Sequence, residues 1–383
     1  MKKSILQFSV IAAIAASMTL TTSCSSDDSA EVYVPEPVVF NAGMSGIATT
    51  RAAVWEDDHS TISDQWSEGV KVNIYTKEAD NSTFANKTYV SDATNTQASI
   101  AGGNKYYTKL VGDGVDSDPS AAFYWASATD SKEIRAWTFG NTVAPGDIAT
   151  HDGSAWNLNT LEFTLDGANS ATAQTNKELL YVWGDYAKAT SGSSAGSLIF
   201  KHQLAKVTIR IYAQKTKVTK CTLGSSQSKT EANSIPITGV FTQPQTSNSR
   251  NKGDDGIWDT ETSFPEYDTG TKYGYITPQT VESNQSPSLN TTSDLTSTAD
   301  NTKYSKRSIY EAVILPGDYQ NKELFEITYD GARYVYKPTS THSIEKGKHY
   351  TYKVIVKDAA LDVYAAIAPW TPVSNAPVDA ELQ

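Results

Sequence analysis

Cysteine is the first scarcity: 383 residues contain only two, Cys24 and Cys221. A disulfide framework is therefore excluded, and the fold must rest on packing. Charge is also thin, at 20% Asp, Glu, Lys and Arg, and its balance is acidic, with a net −11. An acidic chain has no electrostatic footprint for nucleic acid or for an anionic membrane surface. The five histidines, His59, His151, His202, His342 and His349, are scattered without ligand spacing. HExxH, CxxC and a glycine-rich phosphate loop are all missing, so no recognisable set of metal ligands or phosphate cradle supports an enzyme. Beyond residue 20, no window keeps a 3.6-residue period for a dozen residues, which excludes long amphipathic helices.

What is present is β-forming. Aromatics reach 10%, including 8 Trp and 21 Tyr, residue types that suit pleated, half-buried surfaces. Apolar and polar residues alternate in Val70–Tyr75, Ala205–Tyr212, Leu324–Tyr329 and Tyr350–Lys357. Further strands are expected at Ala122–Ala126, Ile134–Phe139, Leu161–Leu165, Leu179–Trp183, Leu198–Lys201, Ile235–Phe241 and Tyr310–Leu315. One apolar and one polar face per strand predicts antiparallel sandwiches, each sheet wet on one side. Residues 242–303 are polar and turn-forming and read as a long surface connection. Cys221, in the alternating run KVTKCTLG, reads as a small buried hydrophobe.

The N-terminus reads as an address. Lys2 and Lys3 precede an apolar stretch, Ile5–Leu20, that fits a secretory h-region and is too short to span convincingly. Ser23 then stands directly before Cys24, as in a bacterial lipobox, although Thr21 departs from the usual leucine. Residues 1–23 are thus expected to be a lipoprotein signal peptide, with Cys24 the site of lipid attachment. The stretch 25–37, SSDDSAEVYVPEP, is an acidic, proline-terminated tether.

Two acidic clusters invite a calcium reading: Asp113, Asp116 and Asp118, and Asp254, Asp255 and Asp259. Neither follows the order of an EF-hand loop, and both read as solvated turns. No metal and no cofactor is expected. The eight tryptophans, Trp55, Trp66, Trp125, Trp137, Trp156, Trp183, Trp258 and Trp370, could line a sugar groove if exposed. Most lie in or beside patterned strands, where core packing is the default.

Taken in order, several runs resemble the fimbrillin family of Bacteroidetes, the subunits of pili. They are the lipobox at Cys24, Val38–Phe40 followed by TTRA at Thr49–Ala52, Trp66–Tyr75, Phe123–Trp125, Lys177–Tyr181 and Phe200–Ile211. Later come Tyr310–Gly317, Phe325–Tyr336, Gly347–Val356 and Trp370-Thr371. The resemblance implies an all-β chain of two tandem transthyretin-like antiparallel β-sandwich domains, here 52–213 and 214–383. A boundary near residue 190 is the alternative. It also implies a non-enzymatic precursor, cut by an arginine-specific surface protease after Arg51 to leave Ala52 as the new N-terminus. The tether and a first strand carrying Val38, Phe40 and Ala42 would be removed. Another copy or a related pilin subunit would then fill the vacated place, giving a pilus on the outer-membrane surface that supports adhesion or biofilm formation. In the tail, Ala376, Val378, Ala380 and Leu382 share one face and form a candidate donor strand, as do Leu361, Val363, Ala365 and Ile367; completing the second sandwich is the equal alternative for the tail. The rival function is an anchored surface lipoprotein that binds glycans through exposed aromatics.

Overall fold

The structure is a computed structural model, which describes residues 33–45, 66, 68–78, 84–92, 96–100, 103–139, 160–164, 179–188, 197–242, 257–258, 273–286, 298–357, 361–369 and 380–381. The chain divides into two compact units, Met1–Val34 and Pro35–Gln383. Of the first, only Tyr33 and Val34 are described; all that follows concerns the second.

The expected all-β class is what forms. Among the described residues the one α-helix is α1 (Thr298–Lys303). The largest sheet takes its strands mainly from the first half: β1 (Phe40–Ser45), β2 (Lys71–Lys77), β3 (Phe84–Ser91), β4 (Thr96–Ile100), β5 (Gly103–Gly112), β6 (Ser131–Thr138), β8 (Leu180–Ala187) and β9 (Ser197–His202). Their order is β1-β9-β8-β6-β2-β3-β5-β4, and β1 also pairs with β5. The pairings therefore run in a closed circuit, with β1 as the strand that joins its two ends.

A second sheet, of order β16-β17-β10-β22-β23-β24, combines β10 (Ala205–Ala213), β16 (Gln279–Gln285), β17 (Lys306–Ile314), β22 (Lys348–Val356), β23 (Leu361–Pro369) and β24 (Ala380–Glu381). Facing it is a three-stranded sheet of β11 (Val218–Leu223), β19 (Phe325–Tyr329) and β20 (Ala332–Tyr336). Smaller pairings join β7 (Thr160–Thr164) and β14 (Ile257–Trp258) to β13 (Thr238–Thr242), β12 (Ile235–Pro236) to β15 (Tyr273–Gly274), and β18 (Gly317–Asp318) to β21 (Ser343–Ile344). One continuous core runs from Trp137, Leu179 and Tyr181 through Val207, Ile209 and Ile211 to Phe325 and Tyr352.

Local chemistry explains several joints. The β19–β20 hairpin turns on Asp330-Gly331, with φ of 51° and 79°, between the paired residues Tyr329 and Ala332. That is the two-residue turn that Asp-Gly favours. Asn284 is a positive-φ residue, at 49°, in irregularly paired β16. Its amide mimics a strand edge: Oδ1 accepts from the Val218 N–H at 3.1 Å, and Nδ2 donates to the Val218 carbonyl at 2.9 Å. It thereby ties β16 to β11.

The structure corrects four expectations. First, the sheets are mixed, because β1 runs parallel to β9 and β10 parallel to β22. Alternation reports which face is apolar, not the direction of a neighbour from distant sequence. Second, β10 is buried on both faces. Lys206 lies 3.4 Å from Glu311, and the Thr208 hydroxyl donates to Glu311 at 2.7 Å, so these two polar residues are partnered without facing water. Third, Ala122–Ala126 is no strand; it makes one bridge, Tyr124 to Pro37. Fourth, residues 242–303 are not wholly a connection, since they hold β14, β15, β16 and α1. The expected division after residue 213 falls just beyond β10, whose two neighbours, β17 and β22, both come from the last third of the chain.

Glu326 of β19 provides a test of the second half. It is buried, accepts from the Ser226 hydroxyl at 2.8 Å and N–H at 3.2 Å, and pairs with Arg333 Nε at 2.9 Å. Burial pushes its pKa up, but the Ser226 hydrogen bonds and Arg333 outweigh it and hold the carboxyl below its ordinary range. A carboxylate depressed in the folded state stabilises above its unfolded pKa, and that contribution is lost as pH falls through the folded value. Glu326→Gln is expected to cost about 2 kcal/mol at neutral pH. It should also reduce the acid dependence of unfolding below pH ~4.3, as read by denaturant titrations across that range.

Candidate functional site

The site is the place occupied by β1. It is prepared just upstream, where residues 36–38 lie alongside 123–125: Val38 N–H donates to the Phe123 carbonyl at 2.7 Å, and Trp125 N–H to the Glu36 carbonyl at 3.0 Å. Glu36 also pairs with Lys188 at 3.1 Å. β1 then runs between two strands. On one side Phe40, Asn41 and Ala42 face Leu110, Lys109 and Thr108 of β5, antiparallel; on the other, Asn41 to Ser45 face Ser197 to Lys201 of β9, parallel.

Alternation sends Val38, Phe40 and Ala42 inward, and each is 0% exposed, while Val39 is 39% exposed. The Phe40 ring stands edge-on to two tyrosines, with centroids 5.1 Å from Tyr89 and 4.9 Å from Tyr186. Those tyrosines are themselves stacked, Tyr89 on Phe123 and Tyr186 on Trp125. Both hydroxyls hold main chain. Tyr89 Oη accepts from the Phe123 N–H at 2.9 Å. Tyr186 Oη accepts from the Asn41 N–H at 2.9 Å and donates to the Val39 carbonyl at 3.2 Å. Burial raises the Tyr186 pKa, against the opposing Asn41 hydrogen bond, so the phenol stays protonated and able to donate.

The arrangement grips an extended strand by side-chain burial on one face and by main-chain bonds along both edges. The three residues expected in the first strand are thus brought together in the core. Cys24, Arg51 and Ala52 lie outside the described residues, as do Ala376, Val378 and Leu382. Ala380 lies in β24, opposite Ala365 of β23. The chemistry weighed elsewhere is used locally. Asp113 pairs with Lys71 at 2.9 Å, and Asp118 accepts from Ser120 N–H and hydroxyl at 2.9 and 2.7 Å. Asp116 is exposed. Asp254, Asp255 and Asp259 lie outside the described residues. Trp66, Trp125, Trp137 and Trp183 are core residues. Cys221 is free and buried, and burial pushes its thiol pKa up. His202 ends β9. His349 Nε2 stands 2.8 Å from the Thr208 hydroxyl, and Thr208 is buried within the sheet.

Sequence reasoning missed Tyr89, Tyr107 and Tyr186. Tyr186 extends the alternation of Tyr181 and Trp183 by one irregular step, past Gly184-Asp185, and no spacing rule marks it as the partner of a strand 145 residues away.

A sequence model of the fimbrillin-like family matches residues 50–370. No curated protein matches the chain. Among solved structures, a candidate cell adhesion protein from Bacteroides ovatus is 13% identical, with 89% of this chain and 100% of that one covered at a TM-score of 0.49. A candidate cell adhesion protein from Bacteroides uniformis is also 13% identical, covering 80% and 93% at 0.45. The tip fimbrial protein Mfa3 from Porphyromonas gingivalis, truncated at its C-terminus, is 10% identical, covering 87% and 98% at 0.37. On the family match, which spans most of its length, the chain belongs to the fimbrillin-like family, a structural class of fimbrial proteins and not a class of enzymes.

Proposed function

We propose that the chain is a subunit of a surface fimbria, exported as a lipoprotein through Cys24 and matured by an arginine-specific protease that cuts after Arg51. Ala52 becomes the N-terminus, β1 leaves, and a strand of another copy or of a related pilin subunit takes its place. In this reading the chain is two tandem transthyretin-like sandwiches, which serve adhesion or biofilm formation once built into the polymer.

The observation that carries the reading is the position of β1. It is the strand that closes the pairing circuit, and Arg51 lies in the segment between it and β2. A cut there leaves β1 held by non-covalent contacts alone. Its departure removes Val38 and Phe40 from the core, each worth roughly 1.5–3 kcal/mol, in a domain of about 5–15 kcal/mol net stability. It also bares one edge of β5 and one of β9, a template for a replacement strand. Repetition from subunit to subunit gives an open filament. The rival glycan-binding reading has lost four of its eight tryptophans to the core.

Arg51→Ala tests the proposal in the producing cell. The expected result is full-length chain at the surface, with high-mass assemblies lost. Assemblies at the parental level would sink the proposal.

A further inference from the structure

The slot is more selective than an apolar trough, and its demands can be read from what touches β1. Inside, it takes a large ring at Phe40, between Tyr89 and Tyr186, and a small side chain at Ala42. Between them, the Tyr186 hydroxyl needs a main-chain N–H at Asn41, which proline lacks. Outside, Tyr107 of β5 and Ile199 of β9 close over Gly43. A Cβ there would meet Tyr107 Cε1 at 2.7 Å and Ile199 Cδ1 at 3.2 Å. Any residue other than glycine would press its Cβ against that ring, closer than carbon atoms approach one another, so the ring would have to move to admit it.

Resting on the strand-replacement reading above, we infer that the slot is built for a strand of a different polypeptide that carries, in order, a large apolar residue, a residue other than proline, a small residue and glycine. This chain's own tail is not that strand. No glycine follows Gly347, so every tail register puts a side chain against Tyr107. With Ala376 in the place of Phe40, Pro377 also falls where the N–H is required. With Val378 there, Glu381 takes the place of Gly43. With Ala380 there, Leu382 must fit the space of Ala42. The tail is also engaged at home: Ala380 and Glu381 pair with Ala365 and Tyr364. The other candidate, Leu361–Ile367, pairs along its length with β22. The partner is therefore a related but distinct subunit, and copies of this chain do not extend one another through the tail.

The test uses the full-length chain with a specific protease site placed among residues 48–52. After folding, it is cut, so that β1 remains bound but exchangeable. Labelled peptides are then offered: residues 36–45, the same peptide with Gly43→Ala, and residues 374–383. The parent peptide is expected to enter, and the Gly43→Ala and tail peptides to bind about tenfold more weakly or worse. In a Tyr107→Ala chain the Gly43→Ala peptide should regain most of the loss. Equal binding of the Gly43→Ala peptide, or a tail peptide that competes like the parent, would overturn the inference. Entry by no peptide would overturn it together with strand replacement. If the ranking holds while surface chain still carries residues 36–45, the maturation reading fails and the slot rule stands.

Discussion

Phe40→Ala is expected to lower the stability of the full-length chain by about 3–5 kcal/mol. The ring is fully buried and edge-on to two tyrosines, and both are fixed by further stacking and by hydroxyl bonds to main chain. Neighbours so constrained cannot collapse into the space, so the lost transfer energy and the cavity add. Val39→Ala, one residue away, has its side chain on the outer face and should change stability by no more than about 0.5 kcal/mol. Denaturant unfolding of the pair gives the contrast. Comparable losses at both positions would mean that β1 is not seated as described. The expectation bears on the proposed function because the energy that holds β1 in the slot is what a replacement strand would have to match.

Gly224→Ala is the other large effect, and it lies in the second half. Gly224 has φ of +83°, and its N–H donates to the Leu324 carbonyl at 2.9 Å. An added Cβ would run into the Gly274 carbonyl oxygen and come within 2.8 Å of Ile235 Cγ1. That carbonyl is held from the other side by the Ser234 hydroxyl, so it cannot swing away. A left-handed residue with a Cβ costs about 1–2 kcal/mol, and overpacking adds about 1–3 kcal/mol. The expected loss is therefore about 2–5 kcal/mol. Gly331→Ala is the control. Its φ is +79°, but nothing lies within 4 Å of the added atom, so only the conformational cost of about 1–2 kcal/mol applies. A ratio near one between the two would show that crowding at Gly224 is absent.

The legible parts of the fold were those with strong two-residue alternation. Val207, Ile209 and Ile211, and likewise Val354 and Val356, declared their inward face by sequence, and they sit in the core. β3 and β5 were not legible. FANKTYVS and GNKYYTKLVG are polar or crowded with tyrosines, and they become strands because β1 and β2 supply the partners. Tertiary pairing overrides weak local preference there. Ala122–Ala126 failed in the opposite sense: Ala122, Phe123 and Trp125 are buried, with Phe123 and Trp125 stacked on Tyr89 and Tyr186 rather than held in a ladder. The inward set Val38, Phe40 and Ala42 was legible from alternation, and the family resemblance gave it meaning. The tyrosines that receive it were not, since they lie far away in sequence. The restriction at Gly43 was invisible too, because it belongs to the ring above the strand rather than to the strand.

The most direct measurement of the central claim is the N-terminal sequence and intact mass of chain recovered from fimbriae on the producing cell. The account predicts a chain that begins at Ala52, carries no lipid and has lost Val38, Phe40 and Ala42. A chain that begins at acylated Cys24 and still contains β1 would contradict it.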